Sequence, residues 1–363
     1  MDVTLFLNHA CNLACSYCYN GRKFHRPMPR DVMRAGVEMA FLGKDARLSF
    51  FGGEPLLELD LMREAIALAR RIEKERDGEI PLRFSMTTNG TLVTPEVVEM
   101  LRRERFHLVF SLDGCREAHD LTRTYPDGAS SYDLIVENLK RAMDAIPSTE
   151  TISVIDPANV HLVPRSFESL LELGVRNINF SLNYEAEWSD EQIETLERAL
   201  SDLSDLYVEA YRAGTDFALD LLDSKVITHL KGGYACRDRC KFGKDELCVA
   251  PSGTLYPCER LVGEDTRHDV TIGDVFTGPD LEKVLEMGRR KDTPDPECEQ
   301  CKLNHRCMYW CGCVNYATTG DVGKTSGLLC RLEQMAIAAA DRAAGILYGE
   351  ENPMFIGKFY CAR

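Results

Sequence analysis

Between residues 3 and 185, six short β-branched or apolar runs alternate with amphipathic stretches, and that alternation confines a chain to repeated strand–helix units around a parallel sheet. The runs are Val3–Asn8, Arg47–Phe51, Leu82–Thr87, His107–Leu112, Thr151–Ile155 and Arg176–Leu182. Helical candidates lie between them. In Leu59–Lys74, for example, Met62, Ile66, Ala69 and Ile72 recur at spacings of three and four. A longer helix is expected over 190–212, opened by Ser189 with Gln192 three residues on, a capping-box pattern. Its stripe of Ile193, Leu196, Leu200, Leu203 and Tyr207 reads as packing. The fold class is therefore α/β, and six such units predict a partial (β/α)6 barrel resembling part of a TIM barrel.

Cysteine usage sets the second constraint. Fifteen cysteines occur in 363 residues, nine of them between Cys240 and Cys330, where the strand–helix alternation stops. The chain carries a net charge of −15 and no apolar run of the length a membrane span requires, and Met1-Asp2-Val3 lacks the basic start of a signal peptide. These features predict a cytoplasmic protein with no nucleic-acid surface and no membrane footprint. In a reducing compartment a disulfide framework is disfavoured, and so many thiols point to metal. The expected organisation is a barrel over 1–220, a small cysteine-built domain over 221–349 containing a final helix Arg331–Tyr348, and a poorly ordered C-terminal tail over 350–363.

In CNLACSYC, the residues Cys11, Cys15 and Cys18 follow the first strand directly, at the carboxyl end where parallel-strand folds carry their sites. Three thiolates on a four-iron cluster leave one iron open for a substrate or cofactor. A zinc site completed by a remote ligand, or three unrelated cysteines, are the competing readings. The C-x3-C-x2-C spacing, with aromatic Tyr17 before the last cysteine, resembles the signature of the radical S-adenosylmethionine (SAM) enzymes. That resemblance implies a 4Fe–4S cluster whose open iron chelates the methionyl amino and carboxylate groups, and whose electron cleaves SAM to a 5′-deoxyadenosyl radical. Gly52-Gly53-Glu54-Pro55 resembles the segment that receives the methionine amino group. Thr87-Thr88-Asn89-Gly90 and Ser111-Leu112-Asp113-Gly114 resemble segments lining the cofactor pocket, with Asn89 among them and Ser111 as ribose contact. Arg123 matches an arginine on the cofactor carboxylate, and Leu182 a residue packing on adenine. Without the resemblance, GGEP, NG and DG read as turns, Arg123 as a solvated charge and Leu182 as core.

Cys298-x2-Cys301-x5-Cys307-x3-Cys311, with Cys240 and Gly253-x4-Cys258 before it and Cys330 after it, offers seven thiols, more than one metal uses. This array resembles the SPASM extension of radical SAM enzymes, which implies two auxiliary 4Fe–4S clusters and three clusters in all. By the resemblance, Cys298, Cys301, Cys307 and Cys330 ligate one, while Cys240, Cys258 and Cys311 serve the other. Its fourth ligand is Cys236 in this reading, with Cys248 the alternative inside a run expected to be a buried strand. Cys313 is surplus to the pattern, and Cys115 and Cys361 are lone thiols. Two four-cysteine zinc sites are the competing reading.

The implied function is a peptide or protein maturase whose radical takes hydrogen from a peptide residue to give an oxidised or crosslinked product. A flavodoxin- or ferredoxin-type donor supplies the electron, and auxiliary clusters accept one. Glu259, directly after Cys258, stands where sulfatase-maturating members carry a basic aspartate, so it is the candidate base; a salt bridge to Arg260 or Arg237 is the alternative. With the first strand at Val3, peptide recognition is expected from a separate protein or from the groove itself. Formylglycine maturation of a sulfatase, a radical reaction on a small molecule, and a zinc-built scaffold without catalysis remain as alternatives.

Overall fold

Parallel strand pairing dominates, as the alternation of strand and helix requires. The structure, a computed structural model, describes residues 1–76 and 78–360. Its strands are β1 (Asp2–Phe6), β2 (Ala46–Phe51), β3 (Leu82–Thr88), β4 (His107–Ser111), β5 (Glu150–Ile155), β6 (Asn177–Leu182), β7 (Ala218–Leu219), β8 (Glu246–Val249), β9 (Thr254–Tyr256), β10 (Gly273–Asp274) and β11 (Gly278–Pro279). All six expected strands are present within two residues of their predicted ends. Contacts gather the chain into two units, Met1–Ser111 with Tyr125–Pro147 and Cys240–Thr293, and Leu112–Thr124 with Ser148–Arg239 and Pro294–Arg363.

In the first unit, β8, β1, β2, β3 and β4 lie side by side in parallel, and β9, β10 and β11 continue beyond β8 in antiparallel fashion. Register aligns Leu5 with Phe50, Phe50 with Met86 and Met86 with Leu108, an apolar row in which every member is buried. Phe50, Phe84 and Phe106 stack at centroid separations of 5.2–6.3 Å. The first strand stops short of its expected end because the Asn8 side chain accepts from Ala10 N (2.9 Å) and Arg26 N (3.0 Å), so its Oδ1 redirects the backbone into the cysteine loop.

The second unit pairs β5, β6 and β7 in parallel, aligning Thr151 with Ile178 and Ile178 with Leu219. The helix Asp190–Arg212 carries the expected capping box, with Ser189 accepting from Gln192 N. It packs on the helix Gly327–Gly349, where Ser204 Oγ donates to the Ala339 carbonyl at 2.8 Å. The expectation of a poorly ordered tail is corrected through residue 360. Asn352 caps a helix over Pro353–Phe359, Phe355 is fully buried, and Lys358 Nζ reaches Asp223 Oδ2 and the Phe217 carbonyl, each at 2.7 Å. An apolar anchor and a half-buried Lys358–Asp223 ion pair therefore hold this segment, signals too local to show as a long periodic pattern. Cys361 lies outside the described residues. Among the described residues no helix is long and apolar enough to cross a membrane.

Candidate functional site

Cys11, Cys15 and Cys18 sit half-buried on the loop leaving β1. Donors already surround their sulfurs. Lys23 Nζ approaches Cys18 Sγ at 2.8 Å, and Cys11 Sγ accepts from Leu13 N at 3.4 Å and Asn89 Nδ2 at 3.7 Å. Burial pushes the Cys11 thiol up to about 11, with the Leu13 N–H acting in the opposite direction. A thiol so desolvated ionises when a cation arrives to share its charge, the behaviour of a metal ligand. The donor set therefore fits an iron–sulfur cluster on this loop.

The glycines of the GGEP segment have a backbone explanation. Gly53 N donates to the Asn8 carbonyl (2.8 Å) and Glu54 N to the Ala10 carbonyl (3.0 Å), clamping the β2 loop against the cysteine loop. A Cβ on Gly53 would stand 2.1 Å from the Ala10 oxygen, and one on Gly52 would stand 2.6 Å from the Asn8 oxygen. Asn20 Nδ2 adds a bond to the Gly52 carbonyl at 2.8 Å.

Glu54, expected to receive an ammonium group, is wholly buried and turned into the protein. Its carboxylate accepts from Leu56 N (3.0 Å), Thr88 Oγ1 (2.8 Å) and Asn89 N (2.8 Å). Asn89 in turn reaches Asn12 Oδ1 at 2.8 Å as well as Cys11 Sγ. One carboxylate thus ties the end of β3 to the end of β2, and Asn89 carries that order to the cysteine loop. Ser111 ends β4, two strands along the same sheet from β2.

Sequence reasoning missed several neighbours of this loop. Lys23 is one. Another is Tyr19, which lies parallel to Phe51 at 6.5 Å with the Arg260 guanidinium 4.6 Å from its ring centroid. Arg26 pairs with Asp265 at 3.3 Å. The basic run Arg22-Lys23-Phe24-His25-Arg26 was the available signal. In the same unit, Cys240 and Cys258 are half-buried, and the Cys258 thiol approaches Glu259 Oε2 at 3.7 Å. Cys248 lies on β8, completely buried, and burial pushes its thiol far up.

The remaining expected residues belong to the second unit. Arg123 is buried, not a solvated charge, and its backbone N donates to the His119 carbonyl at 2.8 Å. Asp113, read from sequence only as part of a turn, accepts from Thr122 Oγ1 (2.8 Å) and Val154 N (2.9 Å). Leu182 ends β6, buried. Cys236 is exposed, Cys311 is half-buried, and the surplus Cys313 stands with its Sγ 3.7 Å from that of Cys311.

Burial depresses the fully enclosed His119 to about 3, with the Arg123 charge adding to the effect. A histidine neutral in the native state and protonated below about 6.5 when unfolded withholds stability as pH falls toward 3. Between pH 7 and pH 5 its contribution is a loss of about 2 kcal/mol. Urea unfolding at both pH values should show His119→Gln lacking that increment; an equal loss in both proteins would refute it.

Cys298, Cys301, Cys307 and Cys330 line one cavity of about 430 Å³. Leu303 N donates to Cys301 Sγ (3.4 Å) and Gln334 Nε2 to Cys330 Sγ (3.2 Å), while the Cys298 thiol donates to Thr325 Oγ1 (3.7 Å). Burial pushes the Cys307 thiol up, and the Glu333 carboxylate adds to that. Four thiols lining one cavity fit the donor set of a four-iron cluster. A separate groove of about 880 Å³ is lined by Tyr184 and Trp188, by the carboxylates Glu185, Asp190 and Glu194, and by Arg331.

Comparison with known proteins agrees with this geometry. The family model for the radical SAM superfamily matches residues 5–170. The cysteine-type anaerobic sulfatase-maturating enzyme of Clostridium novyi is 22% identical over 322 residues, 83% of this chain and 84% of that one. The AdoMet-dependent heme synthase of Methanosarcina barkeri is 27% identical over 345 residues, 87% of this chain and 92% of that one. Among solved structures, native anSMEcpe with bound AdoMet and Kp18Cys peptide superposes with a TM-score of 0.79 at 19% identity, covering 96% of this chain and 99% of the other. That likeness gives the fold as the α/β partial barrel of this superfamily with a cysteine-rich C-terminal region. Residues 5–170 thus match the radical SAM superfamily, and over most of its length the chain is similar to the anaerobic sulfatase-maturating enzymes.

Proposed function

We propose that the protein is a radical SAM peptide or protein maturase, and the observation carrying this reading is the cysteine loop clamped to the GGEP segment with donors aimed at its sulfurs. Cys11, Cys15 and Cys18 would hold the cluster whose bound state supplies the electron and open coordination for SAM cleavage. Gly52, Gly53 and Glu54 would present the backbone facing the methionine end, with the Glu54 carboxylate keeping Thr88 and Asn89 in place. Ser111, Arg123 and Leu182 would contact ribose, carboxylate and adenine. The division into 1–220 for SAM chemistry, 221–349 for two auxiliary clusters and 350–363 as tail belongs to the same proposal. Cys298, Cys301, Cys307 and Cys330 would hold one auxiliary cluster and Cys236, Cys240, Cys258 and Cys311 the other. Cys236 is preferred to Cys248 because the latter is sealed within the sheet.

Glu259 would act as base toward the substrate radical, since its carboxylate is half-buried beside Cys258. A peptide is favoured as substrate because a similar solved structure, native anSMEcpe, holds the Kp18Cys peptide together with AdoMet, and because the groove of Trp188 and Tyr184 offers aromatic faces among carboxylates. The electron donor would be of flavodoxin or ferredoxin type, and a separate protein would assist peptide recognition. The test is anaerobic reconstitution to about twelve irons per chain. Incubation with SAM, dithionite and candidate peptides encoded beside the gene should then give 5′-deoxyadenosine together with a mass change in one peptide. Deoxyadenosine without any peptide modification across that panel would direct attention to small molecules, and zinc in place of iron would end the proposal.

A further inference from the structure

Lys225 and Glu333 form an ion pair at the bottom of the four-cysteine cavity. They are 1% and 2% exposed, with Lys225 Nζ 2.9 Å from Oε1 and 2.8 Å from Oε2. The pair brackets Cys307 in the chain. Glu333 Oε2 also accepts from Met308 N at 2.8 Å, and the Lys225 carbonyl accepts from Arg306 Nη2 at 2.9 Å. Glu333 lines the cavity, and Lys225 is not among its lining residues. The other charged side chains at its rim include Glu297 and Arg331, which are exposed and screened by water.

A buried pair of this kind is weak evidence for stability, because apolar residues of similar volume often serve as well or better. Its orientation suggests a different use. A four-iron cluster held by four thiolates gains one negative charge when it takes up an electron, and its potential follows the charges and hydrogen bonds around it. A desolvated carboxylate lining that cavity, whose effect at Cys307 outweighs the opposing effect of its Lys225 counter-ion, disfavours the reduced form.

We propose that the Lys225–Glu333 pair sets the reduction potential of the auxiliary cluster held by Cys298, Cys301, Cys307 and Cys330, with Glu333 holding it low. This rests on the assignment of a cluster to those cysteines. Glu333 is a positioning residue, acting through the field it imposes and through the Met308 N–H.

The experiment is a dithionite titration of anaerobically reconstituted holoenzyme followed by electron paramagnetic resonance. The double variant Cys298→Ala/Cys301→Ala identifies the signal of this cluster by its loss; if iron and all signals survive, the cluster assignment itself fails. With the signal identified, Glu333→Gln is expected to move its midpoint to more positive potential with iron content unchanged. Glu333→Asp, which keeps the charge, is expected to stay near wild type, and the other clusters should not move. An unshifted midpoint in Glu333→Gln, or an equal shift in Glu333→Asp, overturns the proposal. Should Glu333→Gln lose iron, Lys225→Met/Glu333→Met removes both charges with little change in volume and is expected to retain iron with a positive shift. Loss of iron there too would mean that the pair is structural and overturns the proposal.

Discussion

Replacing Cys15 with Ala is expected to bring 5′-deoxyadenosine formation down to the buffer background, a loss of at least about 10³-fold. Cys15 lies between two cysteines whose sulfurs already have fixed partners: Cys11 with Leu13 N and Asn89 Nδ2, and Cys18 with Lys23 Nζ. Two remaining thiolates cannot hold three corners of a cluster. Iron should fall from about twelve to about eight per chain, while far-ultraviolet dichroism stays unchanged because the loop contributes little regular structure. Full iron content with retained cleavage would remove this triad from the chemistry.

Gly53→Ala should rival that effect by a different route. The added Cβ would lie 2.1 Å from the Ala10 oxygen, 2.5 Å from the Ala10 carbonyl carbon and 2.9 Å from the His9 oxygen. All three are backbone atoms, so no side chain can rotate away. The clamp between Glu54 N and the Ala10 carbonyl must open, at about 2–3 kcal/mol of overpacking strain. Unfolding by urea should show that loss, and reconstitution should deliver about four irons fewer per chain. A variant with wild-type stability and iron would show that the close approach is dispensable.

Much of this was legible in the sequence because periodic burial leaves a periodic trace. The six strands and the capping box at Ser189 rest on spacing, and spacing is what a sequence displays, whereas the grouping of Cys298, Cys301, Cys307 and Cys330 came from the resemblance to the SPASM extension. What escaped prediction depends on where side chains turn. That Glu54 accepts from Leu56, Thr88 and Asn89 has no trace in the sequence, because only the fold brings the latter two within reach. Lys23 on Cys18 and Arg260 over Tyr19 are likewise products of loop geometry. The tail failed for another reason. Phe355 and Lys358 find their partners, Tyr211 and Asp223, far back in the chain, and a short helix with one buried anchor has no periodicity to read.

Strand β8 lies parallel beside β1 and carries the chain from Cys240 toward Cys258. The segment bearing these two thiols is consequently woven into the same ladder that launches the Cys11 loop, with Arg26 and Asp265 joining the two beyond the strands. Ending the protein at residue 220 would strip the flank of β1 of its hydrogen-bonding neighbour and leave a sticky border open to self-association. Grafts that exchange this C-terminal half between relatives must therefore import a matching strand, and the later cysteine-rich part is better regarded as a keystone than as an attachment.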